Sequence, residues 1–256
     1  MAGSDQQRAE DVNSAFLDPA IKGIFCLRGG YGATRILHLL DYDGISQNSK
    51  IFIGYSDITA LHTVINKLCG FVTYHGPMPW TGYGSLDDFT VNNLVASIFN
   101  RTYPKFIENP PSEPFRVIHT GAGAGMLTGG NLAVIASTLG SPYDIETKNK
   151  ILFLEEVDEP LYKIDRNLTA LRLAGKFENV KGIMLGTFIH GSDDRKDSDY
   201  ARSLSKIFHE MFQPYNIPVI GNIMCGHNYP QIVLPLGMNV EISIDDMGSP
   251  SISLHA

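Results

Sequence analysis

The stretch Lys50 to Leu61, KIFIGYSDITAL, decides how this chain is read. Ile51 to Ile53 is a short apolar run with strand character. Gly54, Tyr55 and Ser56 make a tight turn, and a helix is expected to open at Asp57. A strand that turns sharply into a helix puts the turn residue at the carboxyl end of a sheet, where ligands of open α/β sheets bind. Ser56 is that residue, and its hydroxyl stands beside the free N–H groups of the helix start, which can stabilise an oxyanion. The pattern approaches the G-x-S-x-G of a nucleophile elbow: Gly54 and Ser56 fit, and Ile58 stands where the second glycine would be. Taken alone, the stretch favours a plainer reading, with Ser56 as an N-cap, the usual role of a serine before a helix.

Toward the N-terminus, Ser4 and Gln7 form a capping box for a helix that carries Ala9, Val12, Ala15 and Phe16 on one face, and Asp18-Pro19 stops it. Gly23 to Leu27 reads as a strand ending in Arg28-Gly29-Gly30-Tyr31-Gly32, with a helix from Ala33 to Leu40. Strand, glycine-rich loop and helix is the layout of an anion cradle. It lacks the G-x-G-x-x-G and Lys-Ser/Thr patterns, so nucleotide binding by a Rossmann or P-loop route is weakly supported. Toward the C-terminus, the Ser56 helix is expected to run to about Leu68. A strand from Phe71 to Tyr74 ends in His75-Gly76-Pro77, and Ser85, with Asp88 as partner, caps a helix from Leu86 to Phe99. This alternation of helix and strand predicts α/β architecture with a mainly parallel sheet.

Pro104, Pro110, Pro111 and Pro114 mark residues 101–120 as a linker between an N-terminal lobe, 1–100, and a C-terminal lobe, 121–256. GAGAGMLTGGN (121–131) reads as glycine-rich and then helical through Leu139. Strands follow at Ile151 to Leu154, ending in Glu155-Glu156, at Gly182 to Phe188, and at Pro218 to Ile220, which leads to Gly226-His227-Asn228. Helices cover Tyr162 to Leu173 and 198–212. The tail (Gln231 to Leu236, Asn239 to Ile244, Ser251 to Leu254) alternates like antiparallel strands.

The 256 residues suffice for a large core. The net charge of −7 is spread along the chain, which disfavours nucleic acid and anionic membrane as partners. No apolar run is long enough to span a bilayer, and the polar, acidic start is no signal peptide. Cys26, Cys69 and Cys225 are odd in number and widely spaced in apolar segments, as buried free thiols of a reducing compartment would be. There is no C-x-x-C, and His209-Glu210 lacks the second histidine of a zincin motif, so no metal or cofactor is expected.

Three polar residues end or follow apolar strands: Ser56, Glu155 and His227. Hydrolytic triads are recognised by role and geometry, so this chain order is permissible. A neutral imidazole takes the serine proton, and a carboxylate holds the imidazole in the useful tautomer. The Asp57 N–H and a glycine N–H of the 28–32 loop are oxyanion donors of the right kind. Each assignment has a rival. Glu156 or Glu159 could equally orient the histidine, His75 is the strongest alternative base, and the glycine loop could be a tight turn only.

Successive blocks of the chain resemble the LD-carboxypeptidase family of serine peptidases. They are AGSDQQRAEDVNSAFLDPAIKGIFCLRGGYGATRILHLLDYD from Ala2, IGYSDITALH from Ile53, HGPM from His75, GGNLAVIASTLGSPYD from Gly129, ILFLEEVDEPLYKIDRNL from Ile151, and GHN with PLG from Gly226. The resemblance runs along nearly the whole chain. It implies a flavodoxin-like N-terminal lobe and a C-terminal lobe with mixed β-structure, with the active site between them. It also implies a Ser56-Glu155-His227 triad, with the Asp57 and Gly30 N–H groups on the oxyanion. Family members remove a terminal D-alanine from murein tetrapeptide in cytoplasmic cell-wall recycling, and homodimers are usual. Relatives confer microcin C immunity by cutting an amide in a peptidyl-adenylate toxin. The SDQQRAED and RGGYG blocks favour the recycling enzymes. Arg28, Gly29, Tyr31 and Asn131 are then expected at the substrate, chosen by chemical type for its terminal carboxylate. A purine substrate would call for a stacking aromatic such as Trp80 or Tyr83. The blocks begin after the family's first βα unit. A missing inner strand leaves unpaired backbone edges, and a non-catalytic binding protein is the reading that follows from it.

Overall fold

A computed structural model describes residues 2–81, 84, 86–99, 104–191, 199–245 and 247–255. The first sheet has four strands: β1 (Gly23–Phe25), β2 (Ile51–Gly54), β3 (Thr73–His75) and β9 (Leu234–Leu236), in that order. β1, β2 and β3 are parallel, and β9 returns antiparallel to β3 from the far end of the chain. One face is covered by α1 (Asp5–Leu17), α2 (Tyr42–Gln47) and α3 (Thr59–Val64). Phe16, Leu37, Ile45, Phe52 and Ile65 are buried there, with Phe16 stacked on Phe52 at 5.8 Å. The expected capping box forms, Ser4 Oγ accepting from the Gln7 N–H at 3.2 Å. α4 (Asp88–Ile98) opens two residues later than Leu86, capped by Asp87, which accepts from the Thr90 N–H at 3.0 Å. Ser85 and Tyr83 lie outside the described residues.

The second sheet has seven strands in the order β11-β10-β5-β6-β7-β8-β4. Its parallel centre is β5 (Ala122–Asn131), β6 (Lys150–Val157), β7 (Gly182–Ile189) and β8 (Val219–Gly221). β10 (Asn239–Ile244) and β11 (Pro250–His255) extend one edge antiparallel, and β4 (Arg116–His119) the other. The glycine-rich stretch expected to lead straight into a helix is instead the ten-residue strand β5. Its helix, α5 (Leu132–Ser137), is one short piece. β6 is a continuous apolar run because both its faces are covered. Leu152 and Leu154 face α5, α6 (Leu161–Leu173) and α7 (Asp199–Phe212), whereas Ile151 and Phe153 face the strands of the tail. That alternation aims Glu155 and Glu156 at opposite faces.

Candidate active site

β2 delivers Ser56 at its carboxyl end. Tyr55 is extended, and Ser56 itself sits at φ 65°, in the left-handed region that a non-glycine residue adopts at a cost of about 1–2 kcal/mol. A short 3₁₀ turn, Ser56–Ile58, then runs into α3. Gly54 is required by packing, since a Cβ there would lie 2.9 Å from Ile58 Cγ2 and 3.1 Å from Cys26 Cβ. This strained strand-to-helix turn is the geometry of a nucleophile elbow, and it departs from the plain N-cap expected of most serines.

The glycine-rich loop passes directly over this turn. A Cβ on Gly29 would lie 2.8 Å from Ser56 Cβ and 3.0 Å from its Oγ. Asp57 anchors the loop: its buried carboxylate accepts the Ala33 N–H at 2.8 Å. Burial pushes the Asp57 carboxyl above its ordinary range, against the bonds from Ala33 and Gly32. Gly30 sits at φ 120° with open space where a Cβ would be. Arg28 and Tyr31 are exposed on the same loop.

β6 delivers Glu155, which is fully buried, and the segment after β8 delivers His227. His227 Nδ1 lies 2.7 Å from Glu155 Oε2. Gly226 lets the segment run this close, because a Cβ there would meet Thr187 Oγ1 and come within 3.1 Å of Glu155 Oε2. Burial works to raise the Glu155 carboxyl, but the charge and hydrogen bond of His227, joined by His75, bring it down to about 2. Burial likewise works to lower His227, and Glu155 overrides it, so the imidazole is raised above its ordinary range. The His227 ring packs edge-on against Tyr55, the neighbour of Ser56, with centroids 4.9 Å apart. With Nδ1 engaged by Glu155, Nε2 is the nitrogen left for a substrate or nucleophile.

Glu156 has a different surrounding. It accepts from Asn131 Nδ2 at 2.8 Å, from the Ala133 N–H at 2.8 Å and from the Val157 N–H at 3.0 Å. The first two of those bonds join β6 to the start of α5. The Asn131 side chain is engaged at both ends, since its Oδ1 also accepts the Val134 N–H at 3.1 Å. His75 is completely buried at the end of β3, on the far side of Glu155 from His227 in bonding terms: its Nε2 lies 3.9 Å from Glu155 Oε1. Glu159 is half-buried and paired with Lys163 at 2.9 Å. Two features carried no sequence signal. Cys225 places its Sγ 3.2 Å from His75 Nδ1, and Thr59 Oγ1 accepts the Asn131 N–H at 2.9 Å, tying α3 to β5. All three cysteines are free. Among the described residues no helix is long and apolar enough to cross a membrane, and no group of three or more His, Cys, Asp or Glu is gathered to hold a metal.

The structure thus brings together a buried carboxylate–histidine pair, a serine at a strained turn whose neighbour Tyr55 packs on that histidine, and a glycine loop lying against the serine, on an α/β scaffold. Residues 1–76 match the family model of the LD-carboxypeptidase N-terminal domain, and residues 124–242 that of the C-terminal domain, so the chain belongs to the LD-carboxypeptidase family of serine peptidases. It is 36% identical over 239 residues to the "Probable murein peptide carboxypeptidase" of Bacillus subtilis, covering 93% of this chain and 73% of the relative. Among solved structures it is similar to an MccF-like protein from Bacillus anthracis, with TM-score 0.87 and 30% identity over 99% of this chain and 82% of that one. It is also similar to muramoyltetrapeptide carboxypeptidase from Oxalobacter formigenes, with TM-score 0.83 and 28% identity over 100% of this chain and 85% of the other.

Proposed function

We propose that this chain removes the terminal D-alanine from murein tetrapeptide by hydrolysing the amide between an L-configured centre and the D-residue. The Glu155–His227 pair carries the reading, because a buried carboxylate fixed to one imidazole nitrogen leaves the other as a base beside the serine turn. The kinship with relatives named for murein and muramoyl peptides supports the substrate.

Ser56 Oγ attacks the carbonyl carbon of the L-centre while His227 Nε2 takes its proton. The oxyanion that forms is met by the N–H groups of Asp57 and Gly30. His227 then gives the proton to the departing amide nitrogen as the C–N bond breaks, releasing D-alanine and leaving an ester on Ser56. Water, deprotonated by the same imidazole, cleaves that ester. An exopeptidase must also hold the substrate's terminal carboxylate. Arg28 and the loop N–H groups around Gly29 and Tyr31 are the groups of suitable charge beside Ser56. The protein works in the cytoplasm as a homodimer on this reading.

Purified protein incubated with murein tetrapeptide is expected to lose one D-alanine by mass, and Ser56→Ala to lose none. An intact tetrapeptide in the presence of folded protein would overturn the assignment. A second reading, an amidase acting on a peptidyl- or aminoacyl-adenylate, is favoured by one observation. Trp80 is 70% exposed, and its backbone N–H donates to Leu27 O at 2.9 Å, which holds a stacking aromatic next to the glycine loop. Cleavage of the adenylate in place of the tetrapeptide would select it. Binding of either ligand without turnover would indicate a non-catalytic relative.

A further inference from the structure

Behind the carboxylate–histidine pair, two fully buried polar atoms face each other with no other partner among the described residues. One is Glu155 Oε1 and the other is His75 Nε2, 3.9 Å apart. A buried carboxylate oxygen with no donor is costly, and so is a buried ring nitrogen with no partner. The other nitrogen of His75 lies 3.2 Å from Cys225 Sγ. Burial drives the Cys225 thiol well above its ordinary range, so it keeps its proton and can donate it to His75 Nδ1. A thiol donating to Nδ1 calls for the Nε2–H tautomer, the nitrogen that faces Glu155 Oε1.

We propose that His75 is a positioning residue whose Nε2–H holds the second oxygen of Glu155 while the first holds His227. The inference rests on the serine-hydrolase reading of Ser56, Glu155 and His227. Its mechanical sense is direct. When His227 takes the Ser56 proton, Glu155 must stay anionic and must not rotate. A donor on Oε1 secures both. A separation of 3.9 Å is longer than a hydrogen bond, and catalytic bonds that are long in the unliganded site tighten in the reacting complex. The titratable groups facing His75 are Glu155 and Cys225 at these contacts, with the His62 ring at 6.3 Å and the Tyr55 ring at 5.9 Å. Phe153 closes the remaining side edge-on at 5.2 Å.

The test uses the rate at which a fluorophosphonate labels Ser56, read across pH in the full chain, because it does not depend on knowing the substrate. Glutamine can place an N–H where His75 Nε2 stands, and asparagine cannot reach that far. His75→Asn is expected to slow labelling by roughly 10–100-fold, the value of one hydrogen bond to a charged group. It should also move the acid limb to higher pH, since the undonated carboxylate makes the pair hold its proton more firmly. His75→Gln is expected to restore most of the rate and the wild-type limb. Labelling of His75→Asn at the wild-type rate would overturn the proposal, and so would equal slowing in both variants with an unmoved limb. If neither variant folds, ¹⁵N-histidine NMR of the wild type decides: an Nε2–H tautomer supports the role, and an Nδ1–H tautomer overturns it. A wild type that never labels would sink the triad reading itself, and this inference with it.

Discussion

Gly29→Ala tests the site at the place where two elements come closest. The added Cβ would stand 2.8 Å from Ser56 Cβ, where carbon atoms rest at about 3.5–4.0 Å, so roughly 1 Å must be found. The loop cannot easily withdraw. Its far end is held by the Asp57 carboxylate on the Ala33 N–H, and its near end by the Trp80 N–H on Leu27 O. Ser56 is no freer, since it already sits in the left-handed region between a buried strand and a buried helix. The displacement therefore falls on Ser56, the proposed nucleophile, or on the loop N–H groups proposed to meet its oxyanion. A misplacement of that size costs about 10²-fold in rate. Overpacking of this kind lowers stability by about 1–3 kcal/mol, which leaves the protein folded with a melting temperature lower by several degrees. The assay is D-alanine release together with fluorophosphonate labelling of Ser56, next to a thermal melt. Gly70→Ala is the control: it sits at φ 74° with nothing within 4 Å at a helix end remote from the loop, so it should lower stability by about 1 kcal/mol and leave the rate alone. Gly29→Ala working at the wild-type rate would refute the close approach of loop and serine.

The two adjacent glutamates should separate cleanly. Glu155→Gln is expected to keep the fold and lose about 10⁴-fold in labelling and turnover. Glu156→Ala strands three donors and should lower stability by about 3 kcal/mol or more in urea melts. Swapped outcomes would contradict the facing of β6. His62 is fully buried between Thr73 Oγ1 and Gly54 O, and burial brings it down to about 3 from an ordinary 6.5. Below 6.5 the unfolded chain binds a proton there that the folded one does not. Stability is thus full above that pH and falls by up to about 1.4 kcal/mol per unit toward 3, visible in urea midpoints taken between pH 7 and 5. A flat profile would argue against the buried neutral ring. The base must be neutral to act, and Glu155 raises His227, so the acid limb of kcat/KM should lie above 6.5 and a lower limb would count against the pair. Ser56→Gly should abolish labelling and raise stability by about 1 kcal/mol by relieving φ 65°, and a less stable variant would show that no strain was held there.

The strand, turn and helix around Ser56 were legible because an apolar run, a glycine and a helix start lie in one short window. The facing of Glu155 and Glu156 was half legible. Period-two alternation sends them to opposite faces, but nothing in ILFLEEV says which face meets His227. β5 was not legible as a strand at all, because glycine carries no period. Its glycines answer a constraint that only the packed sheet reveals: a Cβ on Gly123, Gly125 or Gly129 would run into the backbone carbonyl of Lys181, Asn149 or Phe153. The placement of His75 was hidden for a related reason. A histidine at the end of a short strand in a His-Gly-Pro turn looks accessible, and hence a rival base. Its complete burial depends on Cys225 and Phe153, which arrive from 150 and 78 residues further along.

The route of the chain explains why these residues can meet. Ser56 belongs to the four-stranded sheet and Glu155 to the seven-stranded one. His227 belongs to neither: it lies on the segment that leaves β8 in the second sheet and returns as β9 beside β3 in the first. A side chain carried on the crossing segment is positioned only when both sheets are in place. The structure ties the two sheets together at two points, with Thr59 Oγ1 on the Asn131 N–H joining α3 to β5, and His75 at the end of β3 against Cys225 on the crossing segment. None of these contacts is needed to form either sheet alone. They register one sheet on the other, and the position of His227 over the Ser56 turn is set by that registration rather than by any local motif.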